Sequence, residues 1–226
     1  MTEGVNRRSY DSSRRREAAR LRRRRILQAA AELFLADGYP RTTVAAIARR
    51  AEVSEDLVFM LFTSKRGVLA EVMDVAIGGD DEDIPLLERE GPQAVRAATD
   101  QREQLRLFAA GITSQLDRVR PLNDLIRSAA AVEPEIAALQ DDLHLRQRRQ
   151  AMTMVASWLA GNGPLRADMS VERATSILWS LASPEVHRML TVQCSWTSEQ
   201  YRDWLQETFT ATLLADQSGS AGPSPR

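Results

Sequence analysis

Residues 25–69 read RILQAAAELFLADGYPRTTVAAIARRAEVSEDLVFMLFTSKRGVL, and this stretch decides the fold. Its apolar residues predict three helices that end in a helix-turn-helix. Ile26, Ala30, Leu33 and Phe34 fall three or four apart and form one helix face. Gly38 closes that helix, because glycine accepts the left-handed conformation just past a helix end. Thr42 or Thr43 caps a second helix, whose buried stripe is Val44, Ile47 and Ala48. Ala51-Glu52-Val53 makes a short turn, and Ser54 caps a third helix. There Val58, Leu61 and Phe62 are expected to turn inward, leaving Glu55, Asp56, Phe59 and Met60 on the face that would enter a major groove.

This stretch resembles the N-terminal DNA-binding domain of the TetR family of transcriptional repressors. The family pattern runs aliphatic-x-x-Ala-Ala-x-x-Leu-Phe, Gly-Tyr, Thr-Thr-Val-x-x-Ile-Ala, Val-Ser, an aromatic-rich third helix, then Phe-x-Ser-Lys. Ile26, Ala29, Ala30, Leu33, Phe34, Gly38, Tyr39, Thr42, Thr43, Val44, Ile47, Ala48, Val53, Ser54, Phe62, Ser64 and Lys65 supply it in order and at that spacing. The resemblance covers about the first third of the chain. It implies an all-α protein with a three-helix DNA-binding head followed by a larger helical domain for effector binding and dimerisation. It also implies that Lys65 meets phosphate beside a helix N-terminus, where backbone donors point.

Three departures from the pattern stand out, the third a pair of residues. Glu52 stands where the family has glycine, so a residue with a Cβ is expected to take a positive φ, at about 1 kcal/mol. Phe59 replaces a tyrosine and lacks the hydroxyl that would bond a phosphate. Glu55 and Asp56 open the third helix where basic or neutral residues are commoner. One reading is that they complement the helix macrodipole. The other is that Glu55 accepts from a cytosine amino group while Phe59 and Met60 touch a thymine methyl.

Charge is unevenly spread. The chain carries a net −1, yet residues 1–25 hold ten arginines, Arg14, Arg15 and Arg16 among them, against only Glu3, Asp11 and Glu17. Residues 1–12, MTEGVNRRSYDS, lack apolar periodicity and are expected to be disordered, whereas from Ser13 good helix formers can extend the first helix backwards. Attached to a helix-turn-helix, this arm is expected to lie on phosphates or to reach into an adjacent minor groove. Arg41, Thr42, Thr43 and Ser54 complete the expected DNA-binding set.

Beyond Lys65 the sequence predicts helices only. A fourth carries Val68, Leu69, Val72, Met73 and Ala76 and links head to body. GGDDEDIPLLEREGP, residues 78–92, has the glycines, prolines and acids of a solvated connector and lacks calcium-loop spacing. Leu105, Phe108, Ile112, Leu116 and Val119 form a stripe expected to end at Pro121, and Leu122, Leu125, Ile126 and Ala129 form a shorter one. A helix follows over about 135–160, another after Ser170, and a last one from Thr197 or Ser198. The expected domains are an arm (1–24), a head with linking helix (25–77), a linker (78–92), a helical body (93–215) and a disordered tail (216–226).

Enzyme chemistry finds no support. The two histidines, His144 and His187, lack metal-ligand spacing, and no nucleophile elbow, dinucleotide fingerprint or phosphate loop occurs. No cofactor or metal is implied. One cysteine, Cys194, forbids an internal disulfide, and no apolar run is long enough for a membrane span, which together point to a cytoplasmic chain. In the body, Phe108, Ile112, Met152, Val155, Trp158 and Trp179 are candidates to line a pocket for a small apolar effector, or else to fill core. The resemblance implies a homodimer through the last two helices, for which Leu178, Leu181, Tyr201, Leu205 and Thr208 are the candidates. The expected function is a dimeric, effector-released repressor on double-stranded operator DNA; the alternative is a helical interaction protein whose degenerate head no longer reads DNA.

Overall fold

The computed structural model describes residues 4–82 and 84–215, with side chains from Arg14 onward. The expected disorder of the tail after Ala215 concerns residues outside that range. Among the described residues all regular structure is helical apart from one isolated antiparallel bridge, Leu165 to Leu214. The helices are α1 (Gly4–Asp37), α2 (Val44–Ala51), α3 (Glu55–Phe62), α4 (Lys65–Gly78), α5 (Glu90–Ala97), α6 (Gln101–Ala130), α7 (Pro134–Asp141), α8 (Arg148–Asn162), α9 (Val171–Leu181), α10 (Pro184–Arg188) and α11 (Ser198–Leu213). A 3₁₀ turn spans Leu86–Glu88, and π-helical turns span Asp142–Gln147 and Met189–Gln193.

The chain forms two compact units. One comprises the residues up to Ala76 together with Pro121–Leu139; the other comprises Ile77–Arg120 together with the residues from Gln140. The first holds the helix-turn-helix. Ile26, Ala30 and Phe34 of α1, Ile47 and Ala48 of α2, and Val58 and Phe62 of α3 are buried, as the spacing requires. Leu61 departs from expectation: it is 41% exposed, because an eight-residue helix one turn from its end buries only the narrower stripe through Val58 and Phe62. Gly38 takes φ +80° and ends α1. Gly67 has a different reason to be glycine. A Cβ there would lie 2.1 Å from the Phe62 carbonyl oxygen, so only hydrogen allows α4 to start so close to the end of α3.

Three element boundaries differ from the sequence reading. Helix α1 begins at Gly4, so the segment expected to be disordered continues the helix behind Arg14. Arginine, alanine and glutamate prolong a helix readily once the buried part has nucleated it. The linker is also more ordered than expected. Arg89 donates to the carbonyls of Gly78 and Glu82 and pairs with Asp80 at 2.8 Å, and α5 starts inside the segment at Glu90. Finally, α6 runs through Pro121. Proline removes one helical hydrogen bond, to the Asp117 carbonyl, but Leu116, Val119, Leu122 and Ile126 stay buried on both sides of it and hold the rod together.

The second unit packs α6, α8, α9 and α11 around a cluster that includes Leu105, Phe108, Ile112, Met152, Val155, Leu159, Leu178, Tyr201, Leu205 and Phe209. The helix expected over 135–160 is real but carries a π turn. After Leu143 and His144 the next half-buried position is Arg148, five residues beyond Leu143, and Met152, Val155 and Leu159 follow at normal spacing. The π turn accommodates one extra residue, and Leu143 at its start and Met152 beyond it are both buried.

Glu52 takes φ 55° and ψ 49°, the left-handed conformation expected where the family has glycine. Glu52→Gly removes the side-chain strain and forfeits only an exposed contact to Arg25 at 3.6 Å. It is expected to raise stability by about 0.5 kcal/mol after the greater unfolded-state entropy of glycine is offset; a urea midpoint lower than that of the parent would contradict the strain account.

Candidate nucleic-acid interface

Two side-chain caps set the direction of the helix-turn-helix. Thr43 Oγ1 accepts from the Ala46 amide at 3.1 Å, and Ser54 Oγ accepts from the Leu57 amide at 3.3 Å. Between them the Glu52 and Val53 amides donate to the Arg49 and Ala48 carbonyls and close the end of α2. The turn is also held from outside: Arg25 of α1 donates to the Ala51 carbonyl, and Arg23 pairs with Glu71 and lies 5.8 Å over the Phe62 ring. Sequence reasoning missed these clamps, since their partners lie 26 and 48 residues away and no local pattern marks them.

The face of α3 is as expected in its exposed members. Glu55 and Asp56 stand at its open N-terminus, Phe59 is 47% exposed and Met60 72%. Leu61 adds to them, so the face offers two acids and three apolar groups, with no base of its own. Other expected DNA contacts divide. Arg14, Arg15, Arg16, Arg41 and Thr43 are exposed, and Arg41 Nε donates to the Asp37 carbonyl at 2.8 Å. Thr42 is not available: it is buried, its hydroxyl pinned between the Leu33 and Gly38 carbonyls at 3.2 and 2.9 Å. It fixes the α1–α2 corner instead.

Lys65 is similarly engaged. Its Nζ donates to the Tyr39 carbonyl at 3.0 Å and sits 4.1 Å over the Tyr39 ring. That ring stacks on Phe34, and its hydroxyl donates to Glu135, whose carboxylate, second to burial, raises the phenol well above its ordinary range. Arg66 donates to the Glu135 carbonyl at 3.1 Å. The Gly-Tyr and Ser-Lys signatures of the sequence thus meet in one cation–aromatic contact that fixes the start of α4.

In the body the six expected effector residues do converge. Phe108, Ile112, Met152 and Val155 are buried in one cluster, with Trp158 and Trp179 half-buried against it. Phe209, not among the expected residues although it continues the four-residue step of Tyr201 and Leu205, packs at 5.9 Å from Phe108. On α6, the helix that carries Phe108 and Ile112, Gln104 Oε1 and Thr113 Oγ1 are buried without a hydrogen-bond partner. Beside the cluster lies a polar group. Arg148 donates to the Trp179 carbonyl and stacks 5.3 Å over that ring, whose Nε1 donates to the His144 carbonyl at 2.9 Å. His187, buried, meets Asp117 at 2.9 Å and the edge of Tyr201 at 4.9 Å.

The expected dimer residues need correction. Leu178, Tyr201 and Leu205 have no exposed surface, because the inner faces of α9 and α11 are consumed by their own core, and only Leu181 and Thr208 keep partly open sides. Among the described residues no three His, Cys, Asp or Glu side chains converge as a metal site, and no helix is long and apolar enough to cross a membrane. Cys194 is exposed.

A capped, outward-facing second helix on a three-helix head, with a larger helical unit behind it in sequence, defines a helix-turn-helix DNA-binding regulator. Residues 26–72 match the model of the bacterial regulatory proteins, tetR family. No curated protein matches the sequence significantly. Among solved structures the chain is similar to NalD, the secondary repressor of the MexAB-OprM multidrug efflux pump in Pseudomonas aeruginosa, at 20% identity and TM-score 0.61, covering 85% of this chain and 96% of that one. It is also similar to SmeT in its triclosan complex (18%, TM-score 0.65, 91% and 99%) and to a transcriptional regulator from Saccharomonospora viridis in complex with choline (20%, TM-score 0.60, 84% and 96%). These likenesses show that most of the described chain, not the head alone, has the fold of TetR-family regulators.

Burial holds both histidines below their ordinary pKa of 6.5, with Asp117 opposing the shift at His187 and Glu185 opposing it at His144. The unfolded chain takes up these protons as pH falls below about 6.5 while the fold resists them, so stability declines as pH drops through that region. Melting temperature is therefore expected to fall between pH 7.5 and 5.5. His187→Gln, which retains a hydrogen-bonding group toward Asp117, is expected to shrink that fall; an unchanged pH dependence would contradict the assignment.

Proposed function

We propose that the protein is a ligand-responsive transcriptional repressor that binds a near-palindromic operator as a homodimer and is released by a small, largely apolar effector. The observation that supports this reading most is the presentation of α3: a helix capped by Ser54, held by clamps from α1, with Glu55, Phe59 and Met60 facing outward. In the major groove Phe59 and Met60 suit thymine methyl groups, and Glu55 suits a cytosine amino group. A regulator of this kind works in the cytoplasm, where its DNA is. The competing reading, an interaction protein with a degenerate head, draws on the acids of α3. The exposed arginines of α1 weigh against it.

The effector site in this reading is the cluster of Phe108, Ile112, Met152 and Val155 with Trp158 and Trp179 at its border. Its apolar walls supply affinity, and α6, which contributes Phe108 and Ile112, also carries the buried unpaired oxygens of Gln104 and Thr113, either of which could orient a ligand that reaches it. SmeT and the Saccharomonospora regulator, similar in fold, are described with triclosan and choline bound, which supports a ligand-accepting body here. Effector binding lowers operator affinity by the difference in its affinity for the two states of the protein. Dimerisation would use the outer sides of α9 and α11, with Leu181, Thr208 and Trp204, rather than their buried faces.

Fluorescence anisotropy with the DNA upstream of the chain's own reading frame tests the proposal. Saturable binding that outcompetes unrelated duplex is expected, and equal affinity for both would favour the interaction-protein reading. Glu55→Ala is expected to change the preferred base at one position per half-site while leaving the salt dependence nearly unchanged. Light scattering at micromolar concentration is expected to give twice the chain mass; a monomer would remove the palindromic model.

A further inference from the structure

The arginine-rich segment is a helix, and that changes what it can do to DNA. Helix α1 continues without interruption from the buried turn at Ile26 back through Arg14 and on to Gly4. An α-helix with side chains is about 10–12 Å across. The minor groove is about 6 Å wide and the major groove about 12 Å, so a flexible arm can enter the first but a helix fits only the second.

The place where this helix leaves the head is also defined. Arg25 is bonded to the Ala51 carbonyl in the turn before α3, and Arg23 to Glu71 of α4. Every residue from Arg14 to Arg22 is exposed, and none of them is apolar except Leu21 and two alanines. The segment therefore departs from the helix-turn-helix itself. Its cations do not form a stripe. At 100° per residue Arg14, Arg15, Arg16, Arg20, Arg22 and Arg24 point around the full circumference. A helix lying on one DNA strand needs one basic face; a helix between two walls of phosphate uses all of them.

We propose that the N-terminal part of α1 is a second DNA-binding element, a cationic helix that occupies the major groove flanking the half-site and grips phosphates on both walls. From Arg14 to Arg25 it rises about 17 Å, which spans about five base pairs. It supplies the phosphate contacts that α3 lacks. The hydroxyl missing at Phe59, the engaged ammonium of Lys65 and the buried Thr42 leave the three-helix head with few such contacts of its own. This inference rests on the DNA-binding reading above, and its test separates the two.

The discriminating variant is Ala19→Pro, which keeps all ten arginines of residues 1–25 and interrupts the helix seven residues before the first buried position, Ile26. Affinity for a 40-base-pair duplex of random sequence would be measured by anisotropy across a salt series, alongside the full-length parent, a chain lacking residues 1–22, and Ala18→Gly/Ala19→Gly. An unchanged melting temperature confirms that each head is folded. The parent is expected to show a steep slope of log K against log salt. In Ala19→Pro and in the truncation that slope is expected to flatten by about 0.9 for each phosphate no longer neutralised, with affinity lowered at least about tenfold. The double glycine variant should fall between. Netropsin bound in the minor groove of an A·T-rich duplex is expected to leave the parent's affinity unchanged. Parent-like binding by Ala19→Pro, or displacement by netropsin, would overturn the helical groove assignment while the regulator reading stands. A parent that binds no DNA would overturn both.

Discussion

The contact of Arg25 with the Ala51 carbonyl is the constraint on which the head depends. Ala51 ends α2, Glu52 holds a left-handed conformation without being glycine, and Ser54 must arrive in the extended conformation that lets its hydroxyl cap α3. A turn of three residues has little burial of its own to hold it, so its geometry is imposed by neighbours: the amides of Glu52 and Val53 on the end of α2, and the guanidinium from α1. The direction of α3, and with it everything the head can read, follows from that corner. Arginine suits the task because its fork reaches a carbonyl across the helix interface while remaining charged at any working pH.

The same helix serves structure and recognition along its length. Residues from Ile26 onward bury one face, Arg23 and Arg25 hold the motif, and the residues before them carry charge into solvent. In the body, burial is the dominant force, and two irregularities show how it is satisfied. Pro121 stays inside α6 because apolar residues continue on both sides, and the π turn at Asp142–Gln147 adds a residue between buried Leu143 and buried Met152. α6 supplies residues to both compact units.

The sequence is most legible where spacing and caps agree. Thr43, Ser54, Ser170 and Thr197 each cap the helix expected of them, and the apolar spacing of α1 and α2 survives in the burial. Pro121 reads as a stop only when proline punctuation is set above periodicity, since Val119 to Leu122 is an unbroken three-residue step. The π turn is not legible in this way, because the five-residue step from Leu143 to Arg148 depends on the half-burial of an arginine that only the packed chain shows. Likewise, nothing local shows that Thr42 is pinned by two carbonyls or that Lys65 lies on Tyr39, because those contacts exist only after α1 and α4 meet. The buried faces of α9 and α11 follow the same rule: amphipathic spacing announces burial, and only the packed chain shows that its own core uses Leu178, Tyr201 and Leu205.

In the proposed function, α3 reads sequence from a two-fold pair of heads. Repeated selection of bound duplexes from a pool with a randomised 30-base-pair core, followed by sequencing, tests it most directly. The expected result is enrichment of an inverted repeat whose half-sites are about one or more helical turns apart, with thymines and a cytosine at the positions nearest α3. A bound pool whose sequences are no more enriched than the starting pool would contradict it.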